Sequence, residues 1–117
     1  MKKMSYNNID RAKDSGDNAV ANIKKNEENR IADAKATVAK TKADTENRVD
    51  NVNANVTADV AKMKADANEV GVERRADYAK ANVKANVEKA NSNIRRYKAY
   101  AEADAERAKT YAKPRNG

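Results

Sequence analysis

An alanine followed by an acidic or amide residue recurs every eleven positions, at Ala21-Asn22, Ala32-Asp33, Ala43-Asp44, Ala54-Asn55, Ala65-Asp66 and Ala76-Asp77. Eleven residues complete three helical turns at about 3.67 residues per turn, so side chains eleven apart fall on one straight line along an α-helix. The six alanines form one such line. Asp33, Asp44, Asp66 and Asp77 form the next, continued by Glu88 and interrupted by Asn55, and Asn7, Asn18, Asn29 and Asn51 belong to a third.

The larger apolar residues keep the period on another face. Val38, Val49 and Val60 share a line. Beside it run Ile23, Ala34, Val56, Ala67 and Tyr78, then Ile9, Val20 and Ile31, then Val52 and Met63. This wide stripe is expected to be the principal buried face. Ala36, Ala39, Ala43, Ala54, Ala58, Ala61, Ala65 and Ala76 form a second, narrower surface. Two apolar surfaces on one helix imply two neighbours, and self-assembly is expected through the alanine line and Val38, Val49, Val52, Val56, Val60 and Met63. From Val83 the spacing changes, with Val83, Ala90 and Tyr97 and then Val87, Ile94 and Ala101 at sevens. The second half is therefore expected to pack differently or to splay.

Chain breakers are scarce. Asp14-Ser15-Gly16-Asp17 has the chemistry of a turn or a helix start. Pro114, the only proline, is expected to stop the helix. Gly71 would permit a hairpin, but no other turn residues surround it. The predicted fold is thus all-α: a short segment 1–17, one long and nearly continuous helix over 18–113, and a tail 114–117. The helix has a charge-balanced eleven-residue-repeat part at 18–73 and a basic, Tyr-bearing part at 74–113. At 1.5 Å per residue it would span about 140 Å.

Composition makes a monomeric core improbable. Of the 46 hydrophobic residues 24 are alanine, Val, Ile and Met together number 17, and Leu, Phe and Trp are absent. A two-stranded leucine zipper is excluded with the leucines. Assembly into a coiled-coil bundle of parallel helices, a tube or a filament is expected instead. With no Cys or His, disulfides, thiol nucleophiles, the usual zinc sites and an imidazole base are all excluded. No apolar run approaches the ~20 residues of a membrane span. The expected location is cytoplasmic or virion-associated.

The stretches TVAKTKADTENRVDNV and TADVAKMKADANEV, within residues 30–80, resemble the eleven-residue repeats of late-embryogenesis-abundant proteins, apolipoproteins and synucleins. That resemblance implies an amphipathic stress protectant or membrane-adsorbing chain that is disordered alone. Sixteen asparagines depart from it. The architecture is also similar in kind to the tube-forming DNA pilot proteins of small icosahedral phages. By that likeness Asn47, Asn51 and Asn55, with Asn82 and Asn86, would line a lumen through which a polyanion slides.

Charge is segregated. Residues 1–73 hold 13 Lys/Arg and 13 Asp/Glu, whereas residues 74–117 hold 12 and 5. Arg74, Arg75, Lys80, Lys84, Lys89, Arg95, Arg96 and Lys98 face only Asp77 and Glu88 between residues 74 and 100. They are the candidate contacts for nucleic acid or an anionic membrane, with Tyr97 and Tyr100 placed to stack on bases or sit among headgroups. Carboxylates at Glu27-Glu28 and at Glu102, Asp104 and Glu106 lack the cleft that acid–base catalysis needs. Asn51, Asn53 and Asn55 alternate as in a calcium loop, but Lys62 stands where the bidentate Glu belongs. The expected protein is non-enzymatic, with no cofactor, no metal and no small-molecule substrate, and its main partner is itself.

Overall fold

The computed structural model describes residues 2–114, with side chains from Arg11 onward. The side chains of Asn7 and Ile9 and the tail 115–117 lie outside the described residues. Two helices make up the fold, α1 (Lys2–Asn68) and α2 (Val72–Ala112), joined by the three residues Glu69, Val70 and Gly71. All-α class is as expected, but the single continuous helix is not. The chain folds back into an antiparallel hairpin 102 Å long and only 15 by 12 Å across, instead of a rod of about 140 Å.

Gly71 makes the reversal possible. Its φ of 64° and ψ of −128° lie where side chains other than glycine are strained. α1 runs out with the Glu69 N–H still donating to the Ala65 carbonyl at 2.8 Å, and α2 begins as the Arg75 N–H donates to the Gly71 carbonyl at 3.2 Å. Turn chemistry at residues 14–17 has the opposite fate, since Ser15 and Gly16 lie inside α1, which runs from Lys2 without a break at residue 17. One glycine costs a helix interior about 1 kcal/mol, which an otherwise uninterrupted helix tolerates. At the far end α2 stops at Ala112, two residues before Pro114, as the proline predicts.

The seam between the helices belongs to the small residues. Facing the seam along α1, with Asp33, Asp44 and Asp50 half-buried on its flank, are Ala21, Lys25, Asn29, Ala32, Ala36, Lys40, Ala43, Asn47, Asn51, Ala54, Ala58, Lys62 and Ala65, continued by Glu69 in the turn, all buried or half-buried. They step by four, four and three, the eleven-residue period written as a contact stripe. α2 keeps that period through Asp77, Ala81, Ala85, Glu88, Ser92, Arg96, Ala99 and Ala103. Sevens do not describe α2: Val83, Val87, Ala90, Ile94, Tyr97 and Ala101 are all exposed. Ala76 is exposed too, one position off the stripe.

The two apolar surfaces therefore exchange roles. Ala54, Ala58, Ala81 and Ala85 form the central buried cluster, because only small side chains let helix axes close to the short end of the usual 8–10 Å range. The wide Val/Ile stripe, expected to be the principal buried face, stays open to solvent. Val38 is 69% exposed, Val49 52%, Val52 59%, Val56 53%, Val60 44% and Met63 68%. β-branched residues at the seam would hold the helices apart and forfeit every alanine contact.

Length mismatch leaves one end single. The Lys25 ammonium donates to the Thr110 carbonyl near the end of α2, and among the described residues the part of α1 before Ala21, roughly 30 Å at 1.5 Å per residue, has no helix beside it. The two interior glycines should respond oppositely to substitution. Gly71→Ala, which strains the turn, is expected to cost about 1–2 kcal/mol in urea unfolding. Gly16→Ala, in open helix with nothing within 4 Å of the added methyl, should be neutral or raise helicity by circular dichroism.

Candidate functional site

Besides alanine, the seam carries a ladder of hydrogen bonds. Tyr78 donates to Asp66 at 2.5 Å, Tyr100 to Asp44 at 2.7 Å and Tyr111 to Asp33 at 2.9 Å. Every step of eleven up α1 is matched by a step of eleven down α2. One rung is missing, and both halves of it change together. Asn55 stands where the next aspartate would be, and Lys89 stands where the next tyrosine would be. Lysines reinforce two of the rungs, with the Lys40 ammonium 5.3 Å from the Tyr100 ring centre and that of Lys62 5.6 Å from Tyr78. Lys40 also pairs with Asp104 at 2.8 Å.

A polar knot interrupts the alanines midway along. The Asn47 amide is buried and donates to the Ser92 hydroxyl at 2.9 Å and to Asn93 at 3.0 Å. Ser92, only 1% exposed, donates to Asp50 at 2.8 Å, and Arg95 closes on that carboxylate at 3.0 Å. Asn51 in turn donates to Asn47. A buried amide that finds partners in only one alignment penalises every other alignment, because a slip leaves it desolvated and unbonded. Asn47 thus pins a register that identical alanine turns cannot.

These placements redistribute the residues singled out from the sequence. Asn47 lies in the seam, Asn51 beside it, and Asn55, Asn82 and Asn86 are exposed, so they line no common lumen within the hairpin. Among the candidate cations, Arg95 is held by Asp50, and Lys89 and Arg96 are half-buried, Arg96 lying 5.5 Å over the Tyr97 ring. Arg74, Arg75, Lys80, Lys84 and Lys98 remain exposed. Tyr97 and Tyr100 do not act together, since Tyr100 is bonded to Asp44 while Tyr97 is 65% exposed. The alanine line is divided: Ala32, Ala43, Ala54 and Ala65 are buried, Ala21 is half-buried and Ala76 is outside.

Two shallow grooves flank the seam. The longer, of about 530 Å³, is floored by Ala36, Ala43 and Ala103 and edged by Lys35, Lys42, Glu46, Glu102 and Arg107. Near the turn another is edged by Lys64, Lys80 and Lys84. Among the described residues no group of three or more His, Cys, Asp or Glu side chains is arranged to hold a metal ion, and no helix is long and apolar enough to cross a membrane.

Electrostatics follow the ladder. The carboxylate bonded to each hydroxyl pushes Tyr78, Tyr100 and Tyr111 above the ordinary tyrosine range. The Ser92 hydroxyl and then Arg95 hold Asp50 below the usual carboxylate range, and Lys40 does the same for Asp104. At the turn Glu69 is raised, chiefly by its hydrogen bond with Asp77.

No family model matches the chain, and neither curated proteins nor solved structures give a match.

The pKa shifts set the pH window of the seam. A tyrosine raised on folding adds stability that is intact below its unfolded value of about 10 and is lost as pH climbs through the folded value. A depressed aspartate adds stability that is intact above about pH 4 and is lost as pH falls through its folded value. The thermal midpoint should therefore be flat near neutrality and fall at both extremes. Asp44→Asn should return the ionisation of Tyr100, followed by ultraviolet difference absorbance, toward the ordinary range.

Proposed function

We propose that this protein is a non-enzymatic structural element, a helical hairpin that associates with further copies of itself into a bundle, tube or filament. The observation that carries the reading is the inverted distribution of side chains, with alanine inside the hairpin and valine, isoleucine and methionine outside. A buried valine contributes about 1.5–3 kcal/mol relative to an exposed one, whereas an alanine methyl contributes about 0.8 kcal/mol. The hairpin alone leaves its strongest apolar contacts unmade. A stripe of eight large apolar residues from Ile23 to Met63, each 44–69% exposed, is long and continuous enough to be an interface.

The same stripe would serve an amphipathic protein that adsorbs to membranes or protects under stress. Concentration dependence separates the two readings. By sedimentation over a hundredfold concentration range without lipid, mass and helicity should rise together in the wild-type protein. A monomer at every concentration would favour adsorption. Val49→Asp with Val56→Asp should abolish the mass increase and leave hairpin helicity in place. Ala54→Glu, within the seam, should instead open the hairpin itself.

A polyanion is the second partner we assign, carried by the exposed Arg74, Arg75, Lys80, Lys84 and Lys98 on α2. Nucleic acid in a phage-like conduit or package would meet this surface. Phosphate contacts of this type are strongly salt-dependent. Arg74→Ala with Arg75→Ala should reduce the slope of log affinity against log salt for single-stranded DNA by up to about 1.4 without altering assembly. An unchanged slope would remove these two residues from the contact.

A further inference from the structure

Beyond self-association in general, on which it rests, the outer face of α1 specifies one partner and one alignment. We infer that two hairpins meet α1 against α1, antiparallel, about a two-fold axis near residues 43–44. The face lies directly opposite the alanine seam. It runs from Ile23 to Met63, about 60 Å at 1.5 Å per residue, and carries eight large exposed apolar residues, whereas the outer face of α2 has Val72, Val83, Val87, Ile94 and Tyr97 before alanine takes over.

Self-complementarity of the spacing carries the inference. Reversing α1 about the axis sets Val38 against Val49 of a second copy and Ile31 against Val56, so that apolar pairs flank the centre on both sides, while farther out Val60 comes level with Glu27 and Met63 with Lys24. All four are half or more exposed within the hairpin, at 69%, 52%, 55% and 53%. At the centre the large side chains give way to Thr41 and Thr45, and a shallow hollow of about 400 Å³ lies there, lined by Val38, Thr41, Lys42 and Thr45 among others. A facing helix can approach closely at such a hollow.

Charge agrees with the same alignment. Lys42 comes beside Glu46 of the second copy and Arg30 beside Asp59, each pairing occurring twice by symmetry. Among the described residues none of these four takes part in an ion pair within the hairpin, whose salt bridges use Lys40, Arg95, Arg107, Lys109 and their partners. A parallel alignment would set Lys42 against Lys42 and Glu46 against Glu46, repelling at every copy. An isologous contact of this kind closes on itself, so further growth falls to α2.

The absence of cysteine makes the test direct. Val38→Cys and Val49→Cys proteins, each checked for helicity and sedimented before oxidation, are oxidised separately and as a one-to-one mixture. The antiparallel contact predicts a 38–49 disulfide-linked dimer in the mixture in several-fold excess over dimers in either separate sample, where like positions stand about 16 Å apart along the axis. Dimers of Val38→Cys alone, as abundant as those in the mixture, would establish a parallel contact and overturn the inference. An oligomer that forms no 38–49 link would place assembly on another face and also overturn it. A protein that sediments as a monomer at all concentrations would defeat the broader self-association reading as well.

Discussion

Close approach of two helices over alanine is the constraint on which the structure depends. At Ala54, Ala58, Ala81 and Ala85 nothing larger than a methyl lies between the backbones, and that closeness brings the side chains on the flanks within reach of one another. The tyrosines of α2 reach the aspartates of α1 only because the seam is thin. A valine at the seam would both separate the axes and lengthen every rung. Repetition at eleven lets the seam continue with little supercoiling, so the last rung at Tyr111 and Asp33 repeats the geometry of the first at Tyr78 and Asp66.

Identical repeats create a difficulty that the polar residues resolve. Alanine turns displaced by eleven residues fit almost as well as the native alignment, so apolar packing alone leaves the register weakly specified. Asn47, Ser92 and Asp50 occur together at one level only, and the changed rung at Asn55 and Lys89 marks another. A slip by one repeat would bury Asn47 without its Ser92 acceptor and set Lys89 against an aspartate position while a tyrosine met Asn55. Part of the basic excess of α2 is taken up in the same way, with Arg95 and Arg107 turned to aspartates of α1. What remains charged and exposed is concentrated near the turn and along the outer side of α2.

Much of this was legible in the residues. The eleven-residue period, the helical class and the stop at Pro114 follow from the residues, whereas the alanine line at Ala32, Ala43, Ala54 and Ala65, expected to join separate chains, packs one chain on itself. The fold-back at Gly71 was not, because one glycine without other turn residues is equally at home inside a helix, as Gly16 is. A stronger signal lay further along. Tyr78, Lys89, Tyr100 and Tyr111 are themselves eleven apart and mirror Asp66, Asn55, Asp44 and Asp33 in reverse order, a pattern that only an antiparallel return can use. The expected change of spacing at Val83 does not occur, because the buried stripe of α2 keeps the period of eleven and is only shifted by one residue from a continuation of that of α1. The assignment of faces went astray because hydrophobicity ranks valine above alanine, whereas proximity of backbones ranks them by size.

The hairpin itself is the claim from which everything else follows, and an intramolecular distance decides it. Spin labels at Thr37 and Ala108, both exposed and on the same side of the seam, would be measured in doubly labelled protein diluted with unlabelled protein so that only distances within one chain are read. The hairpin predicts a separation below about 25 Å, two side chains across a pair of helices whose axes lie 8–10 Å apart. A separation near 105 Å, the length of 71 helical residues at 1.5 Å each, would mean that the chain runs straight through Gly71 and that the alanine seam lies between different molecules.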